Sequence, residues 1–311
     1  MAKIAVELEM ALARRAIEGG SGRTTTRWLA RGEGWKVGDV ICTSGPGDRP
    51  FEERHADVGI AIVTAGSFEY RAAGGRVLMT PGSVMLPNVG QAFECRHDHG
   101  AGDRCLSFHY DPDYFEILAA DAGGVPTVRP ARGVRPIFRP LRLPPLRVLS
   151  PEVARACAGL IGAMDVAWEE FSLRLAARVI RIAGGRPTGG GVVSPAATAR
   201  VTRVVRRIDR DPGDGLSLAE LAREARLSPW HFLRTFRRLT GVTPHQYVLR
   251  ARLREAALRL AAGPGGVVDI AFDSGFGDVS NFNHAFRAEF GVSPSVYRRS
   301  PVSGSSGAGS G

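Results

Sequence analysis

Two stretches set fifty residues apart decide how this chain folds: residues 228–247, SPWHFLRTFRRLTGVTPHQY, and residues 278–297, DVSNFNHAFRAEFGVSPSVY. Phe232, Phe236, Arg237, Gly241, Val242, Pro244 and Tyr247 of the first fall on Phe282, Phe286, Arg287, Gly291, Val292, Pro294 and Tyr297 of the second. Upstream the offset becomes 49, Leu221-Ala222 matching Ile270-Ala271, which places a one-residue difference in the intervening turn. Such a repeat constrains the architecture strongly, because both copies must form the same supersecondary unit.

Each copy reads as a short helix, a tight turn and a longer helix. In the first, Ser217 and Glu220 form an S-x-x-E capping box ahead of an apolar face of Leu218, Leu221, Ala222 and Ala225. Ser228 then caps a helix with Pro229 at its first position and Gly241 as its stop. In the second, residues 268–274 are the short helix, Gly275 lies in the turn, and Asp278 caps a helix whose inward face is Val279, Phe282, Phe286 and Phe290. The outward faces carry Trp230, His231, Arg234, Arg237 and Arg238 in one copy, and Ser280, Asn281, Asn283, His284 and Arg287 in the other. Arginine bonds guanine in bidentate fashion, asparagine does so with adenine, and Trp or His packs on a thymine methyl or a sugar. Both faces therefore suit base reading in a major groove of double-stranded DNA.

Thr243 and Gln246 open a further helix between the copies, running to about Ala261 with Gly263 as its stop. Its roughly 18 residues span about 27 Å, which can set two reading helices about one DNA turn apart. Ahead of the repeat, Val201, Val204, Val205 and Ile208 face inward, leaving Arg200, Arg203, Arg206 and Arg207 outward as phosphate contacts.

With the A-x-x-x-G-F of residues 271–276, the F-x-x-x-F-R of 282–287 and the closing F-G-V-S-P-x-x-Y-R of 290–298, this region resembles the DNA-binding domain of the AraC/XylS family over about a hundred residues. The resemblance implies a bacterial transcription regulator, often an activator working with RNA polymerase. Its other domain would bind a small-molecule effector and often pairs two chains into a homodimer. Many members carry a basic residue where His284 stands, so the second unit is expected to contact bases differently.

The bulk numbers agree with a two-domain chain, since 311 residues exceed what one core usually serves. The net charge of +10 is nearly all arginine, the only lysines being Lys3 and Lys36. Residues 197–300 hold seventeen arginines against ten acidic residues, so the attraction for a polyanion resides mainly in the C-terminal third. Four scattered cysteines, no secretory leader and no apolar run long enough to span a bilayer lead to the expectation of a cytoplasmic protein without a membrane partner.

The fold class expected is α+β with two domains: an N-terminal cupin-like antiparallel β-barrel with following helices, and a C-terminal all-α tandem helix-turn-helix domain. Short β-prone runs at 37–42, 57–64, 67–71, 76–80, 83–86, 92–96 and 104–110 alternate with turns. His55, Gly66 and Pro81-Gly82 are similar to the cupin-like barrels that sense ligands in this family. The boundaries read are an effector domain over 1–149, a helical segment over 150–184, a flexible linker over 185–197, the DNA-binding domain over 198–300 and a Ser/Gly tail over 301–311. Residues 126–145 read as irregular, and the stripe of 150–184 serves either as a dimerisation face or as a brace on the barrel.

One further cluster, Cys95, His97, His99, Cys105 and His109, spans two strands and their loop. Alternate residues share a strand face, so thiolate and imidazole groups can converge on Zn²⁺ or a softer metal, or the cysteines can pair reversibly. The same residues also read as a polar hairpin tip beside small core side chains, since their spacing matches no regular zinc pattern. No resident cofactor and no enzyme activity are expected. The alternatives are a metal- or thiol-sensing regulator and a cupin-type metalloenzyme fused to the DNA-binding domain.

Overall fold

The computed structural model describes residues 3–50, 52–122, 137–184, 193–213 and 216–299. Residues 185–192 of the expected linker, most of the proline- and arginine-rich stretch and the tail lie outside the described residues.

The N-terminal half opens with α1 (Val6–Glu18) and then builds two antiparallel sheets. The strands are β1 (Thr24–Gly32), β2 (Trp35–Cys42), β3 (Glu52–Arg54), β4 (Val58–Gly66), β5 (Phe68–Ala72), β6 (Gly75–Met79), β7 (Val84–Met85), β8 (Ala92–Arg96), β9 (Asp103–Tyr110) and β10 (Arg142–Leu143). One sheet runs β1-β2-β9-β4-β7-β10 and the other β3-β8-β5-β6. Five elements of this half lie outside the sequence pattern: α1, β1, β3, β10 and a helix α2 (Pro112–Asp121). The edge strand β1 is exposed along most of its length and shows no apolar alternation, α1 was assigned no structure, and β10 ends a stretch read as irregular.

Each face of the large sheet has its own partner. Val63, Phe68, Tyr70, Met79, Cys105 and Leu141 fill the space between the sheets. Val37, Leu106, Phe108 and Tyr110 point the other way, onto α3 (Ser150–Leu160) and α4 (Trp168–Gly184), with α2 (Pro112–Asp121) alongside. The apolar stripe expected over 150–184 thus packs on the chain's own barrel and is carried by two helices, the first ending at Ile161. That packing braces the helices on the barrel.

On the helix-covered face lies Arg104, wholly buried. Its Nε and Nη2 donate to the two carboxylate oxygens of buried Asp39, each at 2.9 Å, while Nη1 donates to Ile4 O at 3.0 Å and Nη2 also to Glu7 at 2.9 Å. One guanidinium therefore staples the start of α1 to the sheet, in the bidentate geometry that arginine supplies.

The C-terminal half is all helix: α5 (Pro195–Arg210), α6 (Leu218–Glu224), α7 (Pro229–Thr240), α8 (Pro244–Ala262), α9 (Val267–Asp273), α10 (Val279–Phe290) and α11 (Pro294–Arg299). Helix α5 begins three residues before the boundary read from the sequence, because the Ser194 hydroxyl accepts from Ala197 N and Pro195 follows it. The expected caps form: Ser217/Glu220 and Thr243/Gln246 as full capping boxes, Ser228 accepting from His231 N, and Asp278 accepting from Ser280 N and Asn281 N. Gly241 and Gly291 end their helices in the left-handed region at φ 82° and 80°.

The repeat is also a repeat of turns. Leu227 N donates to Ala222 O at 3.0 Å, and Phe276 N to Ala271 O at 3.1 Å. The matching left-handed positions are Arg226 at φ 52° and Gly275 at φ 85°. A Cβ on Gly275 would meet Gly213 O at 2.7 Å. Gly275→Ala is therefore expected to lose about 1–2 kcal/mol. Arg226→Gly, which removes strain but adds chain entropy to the unfolded state, should stay within about 1 kcal/mol of wild type, and urea melts of the two variants test the pair.

The two halves are not loosely tethered. Leu78 of β6 joins the core of the first helix-turn-helix unit, Ala154 of α3 joins that of the second, and Leu258 of α8 enters the core under the sheet. Half-buried Arg142 donates from Nη1 to Leu78 O at 2.8 Å and Thr240 O at 3.2 Å, and from Nη2 to Leu239 O at 2.6 Å, so it caps the C-terminal turn of α7 from the other half. Burial lowers its pKa to about 10.

Candidate nucleic-acid interface and a buried polar cluster

All ten side chains expected to read bases are exposed: Trp230, His231, Arg234, Arg237 and Arg238 on α7, and Ser280, Asn281, Asn283, His284 and Arg287 on α10. Phe232 and Phe236, like Phe282 and Phe286, are fully buried on the opposite faces. Burial of each aromatic pair fixes the roll of its helix, and the roll decides which side chains face outward. Trp230 is 68% exposed and lies under the Arg234 guanidinium at 5.6 Å, which pre-positions that arginine over an aromatic plane. A cleft of about 480 Å³ separates the two units, bordered by Leu218, Leu233, His245, Arg252 and Asn281.

The arginines of α5 depart from expectation. Arg206 donates to Ala101 O at 3.0 Å and Ser67 Oγ at 3.3 Å on the sheet domain, and Arg207 pairs with Glu224 at 2.8 Å. Interdomain and intradomain partners have claimed both residues, so they are not simple phosphate contacts. Arg203 remains exposed.

The cysteine and histidine cluster assembles differently from the set read in sequence. His97 and Cys105 each bond Asp103, which is directly paired with Cys42 across β2 and β9. His97 Nε2 bonds Asp103 Oδ1 at 2.6 Å, and the Cys105 thiol donates to Asp103 Oδ2 at 3.3 Å. Burial would lower His97, but the carboxylate of Asp103 and the Cys42 sulfur outweigh it and push the imidazole up to about 9. Burial would raise Cys42, yet its attraction to His97 holds the thiol below the ordinary value.

His109 sits two pleats along β9 from Cys105, bonding Ser107 Oγ at 3.1 Å and Asp57 at 3.4 Å. His99 borders a cleft with Arg203 and Arg210. Cys95 pairs in register with Tyr70 in the facing sheet, where burial raises its thiol. All four cysteines are free. Cys42 and Asp103 were missed because their juxtaposition depends on a strand pairing that spans sixty residues. The one local signal was the alternation of Asp103 with Cys105 on a single strand face.

His55 occupies the inter-sheet space, stacked on Phe93 at 3.8 Å with Nε2 against Tyr70 Oη at 2.9 Å. Burial, reinforced by His109, lowers its pKa to about 4. Between pH 6.5 and about 4 the unfolded chain takes up a proton here that the native chain refuses, so stability falls as pH drops through that window. We expect a loss of about 2 kcal/mol after allowance for partial exposure, absent in His55→Gln, when urea melts at pH 7 and pH 4.5 are compared.

A β-sheet domain joined to two copies of a helix-turn-helix, each presenting a polar outward face, defines a DNA-binding protein of the tandem helix-turn-helix class. The family model described as a helix-turn-helix domain matches residues 221–300, and that of an AraC-like ligand binding domain matches residues 39–183. The Transposon Tn10 TetD protein of Escherichia coli is 32% identical over 34% of this chain and 76% of its own length. The transcriptional activator NphR of a Rhodococcus species is 26% identical over 77% of this chain and 69% of its own. Among solved structures, the DNA-binding domain of AdpA in complex with a target DNA is 29% identical over 32% of this chain and 90% of that one, with a TM-score of 0.32. The chain belongs to the AraC/XylS family of DNA-binding transcription regulators. It spans between 30% and 63% of the length of the first curated relatives it matches.

Proposed function

We propose that this chain is a sequence-specific transcription regulator that reads two successive major grooves, α7 in one and α10 in the next. The observation that carries the reading is the pair of exposed polar faces held at equivalent places of the repeat, with α8 spanning about 28 Å between the units. The N-terminal domain is the effector-binding half. The protein acts without enzymatic turnover in the cytoplasm, as an activator that contacts RNA polymerase. No described helix is long and apolar enough to cross a membrane. A homodimer is part of this reading, formed through a surface other than the stripe of α3 and α4, which the chain's own barrel covers.

Selection of duplexes from a random pool by the full chain, with affinities at two salt concentrations, tests the proposal. A bipartite motif with halves about 10 base pairs apart is expected. Uniform, steeply salt-dependent binding without a motif would leave charge alone as the cause and remove the claim of specificity. On the selected site, Arg234→Ala or Arg237→Ala should cost about 1–3 kcal/mol at one base position, while an equal loss on every sequence would mark a phosphate contact.

A further inference from the structure

Between the two sheets, at the end where β2 and β9 terminate, the structure gathers a thiol, an imidazole and a carboxylate from three separate segments. One donor atom each from Cys42, His97 and Asp103 lies within 4.8 Å of the others, and an ion with tetrahedral bonds of about 2.0–2.3 Å would draw them to roughly 3.3–3.8 Å apart. His97 and Asp103 are each 5% exposed. The Nε2 of His97 is engaged by Asp103, while its Nδ1 is buried without a hydrogen-bond partner among the described residues. An ion entering the cluster would replace the protons that now join Asp103 to His97 and to Cys105, leaving an imidazole nitrogen, a carboxylate oxygen and a thiolate as donors. A second thiol, Cys105, stands against the other Asp103 oxygen at 3.3 Å.

We propose that Cys42, His97 and Asp103 form a binding site for a thiophilic divalent cation of the Zn²⁺ class. Mixed sulfur, nitrogen and oxygen donors suit zinc, whereas an all-oxygen set would suit magnesium or calcium. The site has a mechanical output. His97 and Asp103 are the two ends of the loop 98–102, and the middle of that loop is where the other domain is held, Ala101 O accepting from Arg206 of α5 at 3.0 Å. A Cβ on Gly100 would fall 1.7 Å from the same guanidinium, so the loop and α5 meet in van der Waals contact. An ion that fixes both ends of the loop fixes the seat of α5, and through it the placement of the first helix-turn-helix unit. This coupling rests on the reading of the chain as a DNA-binding regulator; the site itself does not.

Metal-stripped full-length protein titrated with Co²⁺ tests the site directly, since thiolate ligation gives a charge-transfer absorption in the near ultraviolet. One Co²⁺ per chain with that band is expected, displaced by Zn²⁺, lost in Cys42→Ser and at least tenfold weaker in His97→Gln. The band should persist in His109→Gln, outside the cluster, and circular dichroism checks that each variant is folded. A wild-type protein without the band, or a band that survives Cys42→Ser, overturns the site. DNA affinity with Zn²⁺ and with chelator then tests the output: at least a threefold difference is expected, abolished in Arg206→Ala. A full Co²⁺ band with identical DNA affinities overturns the coupling but not the site. A full band in a protein that selects no DNA overturns the regulator reading instead.

Discussion

Replacing Arg104 with methionine is expected to destabilise the N-terminal domain by about 3–5 kcal/mol, read as a shift of the urea midpoint followed by a near-ultraviolet signal. The loss is not that of a surface ion pair. Arg104 and Asp39 have side chains only 1% and 2% exposed, and their bidentate contact lies under α1. Methionine restores the volume but leaves the Asp39 carboxylate buried, with only Arg27, 60% exposed, still reaching it. Removing one member of a buried pair costs more than removing both, because the remaining charge keeps its desolvation penalty. The double variant Arg104→Met with Asp39→Leu should therefore recover at least half of the loss. If it were no more stable than the single variant, the guanidinium bonds to Ile4 O and Glu7, and not the pair with Asp39, would be the dominant contribution.

The second large effect concerns the paired aromatic anchors. Phe232→Ala and Phe282→Ala each delete a wholly buried ring packed at an angle against a neighbour: Phe232 against Phe236 at 5.4 Å, Phe282 against Phe276 at 5.1 Å and Phe286 at 5.5 Å. Each should cost about 3–5 kcal/mol through lost burial and the cavity left behind. The second unit also offers a comparison, because Phe276 has Leu227 in its place in the first, a smaller and partly buried side chain. Equal losses would show that burial alone sets the cost; a larger loss at Phe282 would assign the excess to the extra aromatic contact, typically about 0.5–1.5 kcal/mol. A loss below about 1.5 kcal/mol at either position would mean that the core there collapses around the hole.

Legibility followed the range of the interactions involved. Helices α6 to α10, the caps of α6, α7, α8 and α10 and both reading faces came from signals contained within four residues: Ser217 with Glu220, Thr243 with Gln246, Phe282 with Phe286. The strands were largely legible as well, since alternation and turns are local. What could not be read was who pairs with whom. The cluster around His97 needed Cys42 from β2 opposite Asp103 on β9, and Arg206 needed a seat on a loop a hundred residues away. Sequence reading placed Arg206 among outward arginines because helical periodicity gives only the direction of a side chain, not what another domain brings against it. Edge strand β1 and helix α1 were missed for a related reason: their function is to cover others, and their own apolar signal is weak.

Arg142 gives the arrangement of the halves a thermodynamic consequence. The final carbonyls of a helix have no partner within it, and here two of them on α7 are satisfied by a cation that belongs to the sheet domain. The length over which α7 is firmly helical is thus a joint property of both domains. A chain in which the halves separate must surrender those carbonyls to water, and the last turn of α7 should then exchange amide hydrogen faster than it does in the joined chain.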